Sequence, residues 1–219
     1  MLEIRNINKS FGKKEILKDV SLKCNIGDII GIFGRNGSGK SSLLKIIHGT
    51  LKADSIELEI NSKLINPKKI IPSKSIAYLP QDSFLPKNLK VRNVIPLFFS
   101  NGDDQDKIFY SKGISHFENK KISTLSIGQL RYLEILLIGN LEHTYIMFDE
   151  PFSMVEPLYK EIIKEFIIDL KNEKGLIITD HYYNDVLEIT DRNYIIKNGQ
   201  KFKIKSKEDL EKFEYLRKN

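Results

Sequence analysis

Gly34-Arg35-Asn36-Gly37-Ser38-Gly39-Lys40-Ser41 sets two glycines five residues apart ahead of a lysine and a hydroxyl residue. The apolar run 29–33 before it is short enough to be a strand buried on both faces. Behind it, Leu43, Leu44, Ile46 and Ile47 take a helical spacing over residues 41–48. Strand, glycine loop and helix in that order form a phosphate-binding loop. A triphosphate needs many converging donors and no bulky side chains, and glycines permit that close backbone approach. Loop N–H groups and the helix N-terminus face the phosphates, Lys40 can reach the β and γ groups, and Ser41 can ligate Mg²⁺. The Gly-x-Gly-x-x-Gly dinucleotide pattern does not fit this spacing.

Further along, Tyr145-Ile146-Met147-Phe148-Asp149-Glu150 is an apolar strand ending in two acids. That puts carboxylates at the C-terminal edge of a sheet, where ligands gather. Asp149 suits the Mg²⁺ hydration shell, and Glu150 can polarise an attacking water. A helix over 157–172 and a strand over 175–179 then complete a β-α-β crossover, which favours a parallel sheet. Alternation predicts strands at 2–8 and 16–23, with others at 56–60 and 75–79. Between 88 and 140 the texture becomes mostly helical, with a polar break at 101–106. Its last helix, 129–141, is apolar nearly all round at its end and so belongs inside. Asn198-Gly199, between 194–197 and 201–204, signals a hairpin, and Ser206 with Asp209 is expected to cap a final helix.

Composition bounds the reading. The chain has 219 residues, 41% hydrophobic and 29% charged, enough apolar material for a sizeable core and against wholesale disorder. No apolar stretch approaches the ~20 residues a spanning helix needs, and residues 1–10 lack the apolar block of a signal peptide, so export is not expected. One cysteine, Cys24, can form no internal disulfide and reads as a buried small hydrophobe in a reducing cytosol. Lys and Arg number 35 against 29 acids, a net +6. With its mixed-sign tail at 201–219, that balance gives no ground to expect nucleic acid.

Taken in order, these motifs resemble the ATP-binding cassette ATPases over nearly the whole chain. Gln81 in Tyr78-Leu79-Pro80-Gln81-Asp82 looks like the family's glutamine loop, and Leu89-Lys90-Val91-Arg92-Asn93-Val94 like the helix start after it. His181 in Ile178-Thr179-Asp180-His181 looks like the switch histidine, and Leu125-Ser126-Ile127-Gly128-Gln129 like the signature, with Ile127 in place of a glycine. The resemblance implies an α/β fold: a P-loop NTPase core with a mainly parallel sheet, an N-terminal antiparallel β subdomain and an inserted helical subdomain. Residues 1–219 would form one domain, with 1–87 and 141–219 as the core plus β subdomain and 88–140 as the signature-bearing helical part.

It further implies ATP and Mg²⁺ as cofactors. Gly34, Arg35, Asn36, Gly37, Ser38, Gly39, Lys40, Ser41 and Ser42 would hold the nucleotide, with Phe11 stacked on adenine. Ser41, Gln81 and Asp149 would serve the metal, and Glu150, His181 and Gln81 the hydrolysis. Ser126, Gly128 and Gln129 would close over nucleotide bound to a second cassette, a homodimer being expected. Glu156, in the stretch resembling the dimer-contact loop, stands where aspartate is usual.

The function implied is an ATPase subunit at the cytoplasmic face of a membrane, powering transport through separately encoded spanning chains that choose the cargo. The wording of Asp149-Glu150-Pro151-Phe152 and Thr179-Asp180-His181 is similar to ATPases of lipopolysaccharide export and branched-chain amino acid uptake. Two alternatives stand beside it. A cassette acting on ribosomes or DNA fits less well, because there is a single phosphate loop and no long heptad insertion. A slow regulatory cassette is motivated by Ile127 and Glu156.

Overall fold

A computed structural model describes residues 1–216, so the last three residues of the expected tail and of the domain assignment lie outside the described residues. The chain opens with β1 (Leu2–Phe11) and β2 (Lys14–Cys24), an antiparallel pair. β3 (Ile29–Phe33) enters a second sheet and is followed by α1 (Lys40–His48). β4 (Ser55–Ile60) and β5 (Lys63–Leu64) return to the first sheet, whose order is β2-β1-β4-β5. After β6 (Ile76–Leu79) come three helices, α2 (Val91–Phe98), α3 (Gly102–Phe109) and α4 (Ile127–Gly139). Then β7 (Tyr145–Asp149), α5 (Pro157–Leu170), β8 (Gly175–Thr179) and α6 (Tyr183–Ile189) alternate. The hairpin β9 (Arg192–Lys197) and β10 (Gln200–Ile204) and the short α7 (Lys207–Lys212) complete the described chain.

The second sheet runs β10-β9-β3-β8-β7-β6 and is parallel except for β10. A parallel sheet is covered on both faces, so its strands need continuous apolar runs. Every residue of β3, β7 and β8 is indeed buried. The two-residue period of a strand splits these runs between two cores. Met147 and Ile177 face the antiparallel sheet and α1, alongside Leu17 and Leu43. Ile146, Phe148 and Ile178 face the helical side with Leu133, Leu137 and Ile163. Because β8 lies between β3 and β7, the loops leaving all three emerge side by side. Thr179 pairs with Ile32 on one side and Asp149 on the other. That register gathers the glycine loop, the acids and the residues after β8 at one edge.

Some boundaries differ from the sequence expectation. β1 continues to Phe11, because Asn6 takes a positive φ of 54° and a register shift there lets the pairing resume. α4 begins at Ile127, capped by Ser126, which accepts the Gln129 N–H while the Gln129 side chain accepts the Ser126 N–H. The expected cap at Ser206 is only half formed: Ser206 makes no side-chain cap bond, and Asp209 reaches back to accept the Lys205 N–H at 2.9 Å. Cys24 is buried, and that burial pushes its thiol up to about 12.

Candidate active site

The glycine loop leaves β3 and turns into α1 through residues that only glycine suits. Gly39, the residue capping α1, has φ 104°, and a Cβ there would press on Ile16 and Leu17 of β2. No side chain caps α1 and no acid occupies its first turn. Its leading N–H groups are therefore available to an anion, with the helix dipole behind them. Lys40 lies folded along the loop, donating to the Gly34 carbonyl at 2.7 Å. Burial holds its ammonium below the usual lysine range, opposed by the charges of Glu150, Asp149 and Asp180.

Asp149 ends β7 at the neighbouring position. Its Oδ1 accepts from Ser41 Oγ at 3.2 Å and Thr179 Oγ1 at 2.6 Å, and its Oδ2 accepts from Tyr78 OH at 2.9 Å. A serine hydroxyl beside a carboxylate is an all-oxygen donor pair, the chemistry a hard cation such as Mg²⁺ takes. Among the described residues no cluster of three or more His, Cys, Asp or Glu could cage an ion alone. The pair therefore fits a cation that draws its other ligands from phosphate and water, as Mg²⁺ usually does.

Glu150 follows in the left-handed region, φ 56°, with its N–H donated to the Thr179 carbonyl at 2.7 Å. That turn sends its carboxylate back to the sheet edge. Gln81 Nε2 donates to Glu150 Oε2 at 2.9 Å, and His181 Nε2 lies 3.1 Å from Glu150 Oε1. Burial, helped by the charge of Lys40, holds His181 below the usual imidazole range. The ring sets Nε2 toward Glu150 and Nδ1 toward Tyr215 OH, 3.5 Å away. Asp180, fully buried, accepts the Phe152 N–H at 2.7 Å and the Tyr182 N–H at 2.9 Å, tying together the turns after β7 and β8. Burial raises its carboxyl to about 6.

Of these groups Lys40, Ser41, Gln81, Glu150 and His181 open on a cleft of about 580 Å³, lined also by Phe11, Lys14, Ile16, Asn36, Gly37, Gly39 and Ser42, while Asp149 lies buried behind Ser41. Phe11 is half exposed at its mouth, with Lys9 Nζ 4.9 Å from the ring centre. Arg35 and Ser38, also expected among the nucleotide ligands, are not among the residues lining this cleft. The Arg35 guanidinium turns to the Glu214 carbonyl, and the Ser38 N–H is taken by the Arg35 carbonyl at 3.0 Å. Both line an adjoining groove with Phe213 and Tyr215. Gly34 is buried beneath the loop, its carbonyl engaged by Lys40.

The signature residues do not line this cleft. Ser126 and Gln129 satisfy one another at the start of α4. Gly128 packs so closely on Glu156 and Tyr159 that a Cβ would collide with both. Ile127 keeps a negative φ and exposes half its surface, so the helix start does not require glycine there.

Sequence reading missed Tyr78, Thr179 and Asp180 as site residues, although all three stand inside the quoted motifs. Their roles depend on which strands are neighbours. The apolar runs flanking each motif were the available signal.

Similarity to known proteins agrees with this geometry. The family described as ABC transporter matches residues 17–153. The chain is 30% identical over 212 residues to the lipopolysaccharide export system ATP-binding protein LptB of Haemophilus influenzae, covering 91% of this chain and 88% of that one. The Escherichia coli K12 protein of the same name is 28% identical over 210 residues, covering 90% and 87%. Among solved structures, a nucleotide-free ATP-binding cassette from an ABC transporter superposes with a TM-score of 0.84 at 27% identity, covering 99% of this chain and 96% of the other. The ADP conformation of MJ1267, another such cassette, gives 0.82 at 28%, covering 96% and 93%.

Proposed function

The chain belongs to the ABC transporter family as an ATP-binding, ATP-hydrolysing subunit, and from that premise we propose that two such cassettes close on Mg²⁺-ATP to drive a cargo through separate membrane-spanning subunits. No helix among the described residues is long and apolar enough to cross a membrane, so the spanning part would be supplied by partners, with this subunit at the cytoplasmic face. No nucleic acid partner is proposed.

The observation that carries this reading is the placement of Glu150 between Gln81 and His181, in the cleft that also holds Lys40 and Ser41. When bound, Mg²⁺ would neutralise charge across the β and γ phosphates, held by Ser41 and Asp149 with Gln81 beside it. Lys40 exchanges the Gly34 carbonyl for phosphate oxygens, a charge-assisted contact. The N–H groups of Gly37, Gly39 and the first turn of α1 take the remaining phosphate oxygens. Phe11 offers its ring face to the adenine. Glu150 accepts the proton of the attacking water, Gln81 orients that water, and His181 meets the γ-phosphate from the far side. Ser126, Gly128 and Gln129 would act on nucleotide held by the second cassette.

Phosphate release by the purified protein tests the assignment. Glu150→Gln keeps the shape of the side chain but exchanges one carboxylate acceptor for an amide donor and cannot take a proton. General bases contribute about 10²–10⁴-fold, so turnover should fall by about that factor while nucleotide affinity is retained. Unchanged turnover would remove Glu150 from the role.

A further inference from the structure

One turn past its cap, α4 buries an arginine in the second hydrophobic core. The side chain of Arg131 is only 7% exposed and that of Glu134 2%. A guanidinium stays charged and carries five donors in a planar fork, so burying it is costly unless those donors are met. The two terminal nitrogens make four bonds, three to backbone carbonyls and one to a carboxylate. Arg131 Nη1 donates to the Pro80 carbonyl at 2.7 Å and to Glu134 Oε2 at 3.2 Å. Nη2 donates to the Asp149 carbonyl at 2.5 Å and to the Glu150 carbonyl at 3.3 Å. Pro80 is the residue before Gln81; Asp149 and Glu150 are the acids themselves. A methionine would fill the same space, so packing alone does not call for a charge here. Glu134 Oε1 has no hydrogen-bond partner among the protein groups, and a buried ion pair is by itself weak evidence for stability.

We propose that Arg131 is a positioning residue for ATP hydrolysis: it fixes the peptide planes of Pro80-Gln81 and Asp149-Glu150 relative to each other and fastens both to the helix that bears the signature motif. The inference rests on the ATPase reading of the same cleft. Arg131 does not line that cleft; it acts through Gln81 and Glu150. Their side chains meet at 2.9 Å only while the two loops keep this spacing. One rigid fork holds both loops, so displacement of the first turns of α4 is transmitted to the base and to the glutamine together. Lysine cannot substitute, because an ammonium is a point donor and lacks the planar span of the fork.

The test compares steady-state ATP turnover and equilibrium binding of a fluorescent ATP analogue in the full-length chain, Arg131→Lys, Arg131→Met and Glu134→Gln. Arg131→Lys is also combined with Gln81→Ala. For Arg131→Lys, kcat should fall about 10–100-fold, the range for losing a partner that orients a functional group, with KM and affinity within about twofold. Glu134→Gln, which loosens the fork without removing it, should fall in between. With Gln81 already alanine, the added loss from Arg131→Lys should shrink, because both changes disturb one arrangement. If Arg131→Met does not fold, Arg131→Lys and Glu134→Gln decide the matter. A kcat within about twofold of the parent overturns the proposal, as does affinity falling in step with kcat or the two losses simply multiplying. A parent chain that binds the analogue but hydrolyses no ATP overturns the ATPase reading itself, a result distinct from those.

Discussion

Glu150 adopts a left-handed backbone at a cost of about 1–2 kcal/mol for a residue with a side chain. The bonds around it offset this: its N–H meets Thr179, and its carboxylate receives Gln81 and His181. Asp180 poses the opposite problem, a carboxylate in the interior. Its pKa is raised from 3.8 to about 6, so the folded state holds a proton that the unfolded chain has released. Its contribution to stability is therefore complete below about pH 3.8 and is lost as pH rises through about 6. At about 1.4 kcal/mol per pH unit, the change across that window is on the order of 3 kcal/mol. Asp180→Asn cannot titrate. Urea unfolding at pH 4 and pH 7.5 should find the parent losing more stability than this variant between the two, and parallel behaviour would contradict the burial argument.

At the scale of elements, the start of α4 rests on the reciprocal bonds of Ser126 and Gln129. Ser126→Ala should lower the unfolding free energy by about 1 kcal/mol, read from a shifted urea midpoint with an unchanged slope. A neutral result would mean that packing alone sets this helix end. The strands β3, β7 and β8 were legible from sequence because burial on both faces writes a continuous apolar run. The phosphate loop was legible because glycine spacing, lysine and hydroxyl are local. What escaped was contact across the sheet. Tyr78 and Thr179 meet Asp149 through strand order, and Arg131 reaches Pro80 across 51 residues. The pieces α2 and α3 were legible only as a helical texture, since each has eight residues and Pro96 interrupts the first. The turn of the Arg35 side chain toward Glu214 was not legible, because the pattern specifies the loop's backbone and says nothing about the direction of its variable side chains.

Over the whole molecule, the sheet edge that gathers the cleft is built by one chain, while Ser126, Gly128 and Gln129 stand outside that cleft. If those residues act on nucleotide, a second cassette must present them. With Glu150→Gln preserving bound Mg²⁺-ATP, light scattering should report a doubled mass, reverting to the single-chain value when nucleotide is removed. A single-chain mass at saturating ATP would refute closure between two copies. The groove behind the glycine loop carries a practical implication of its own. Glu214 accepts from Arg35 and pairs with Lys197, Tyr215 sets its edge against Phe33, and its hydroxyl looks toward His181. Glu214 and Tyr215 thus form the rear wall of the glycine loop and of the His181 side chain. An affinity handle or a proteolytic nick there would be felt by the nucleotide, whereas the same alteration at an exposed loop such as that around Tyr110 would not.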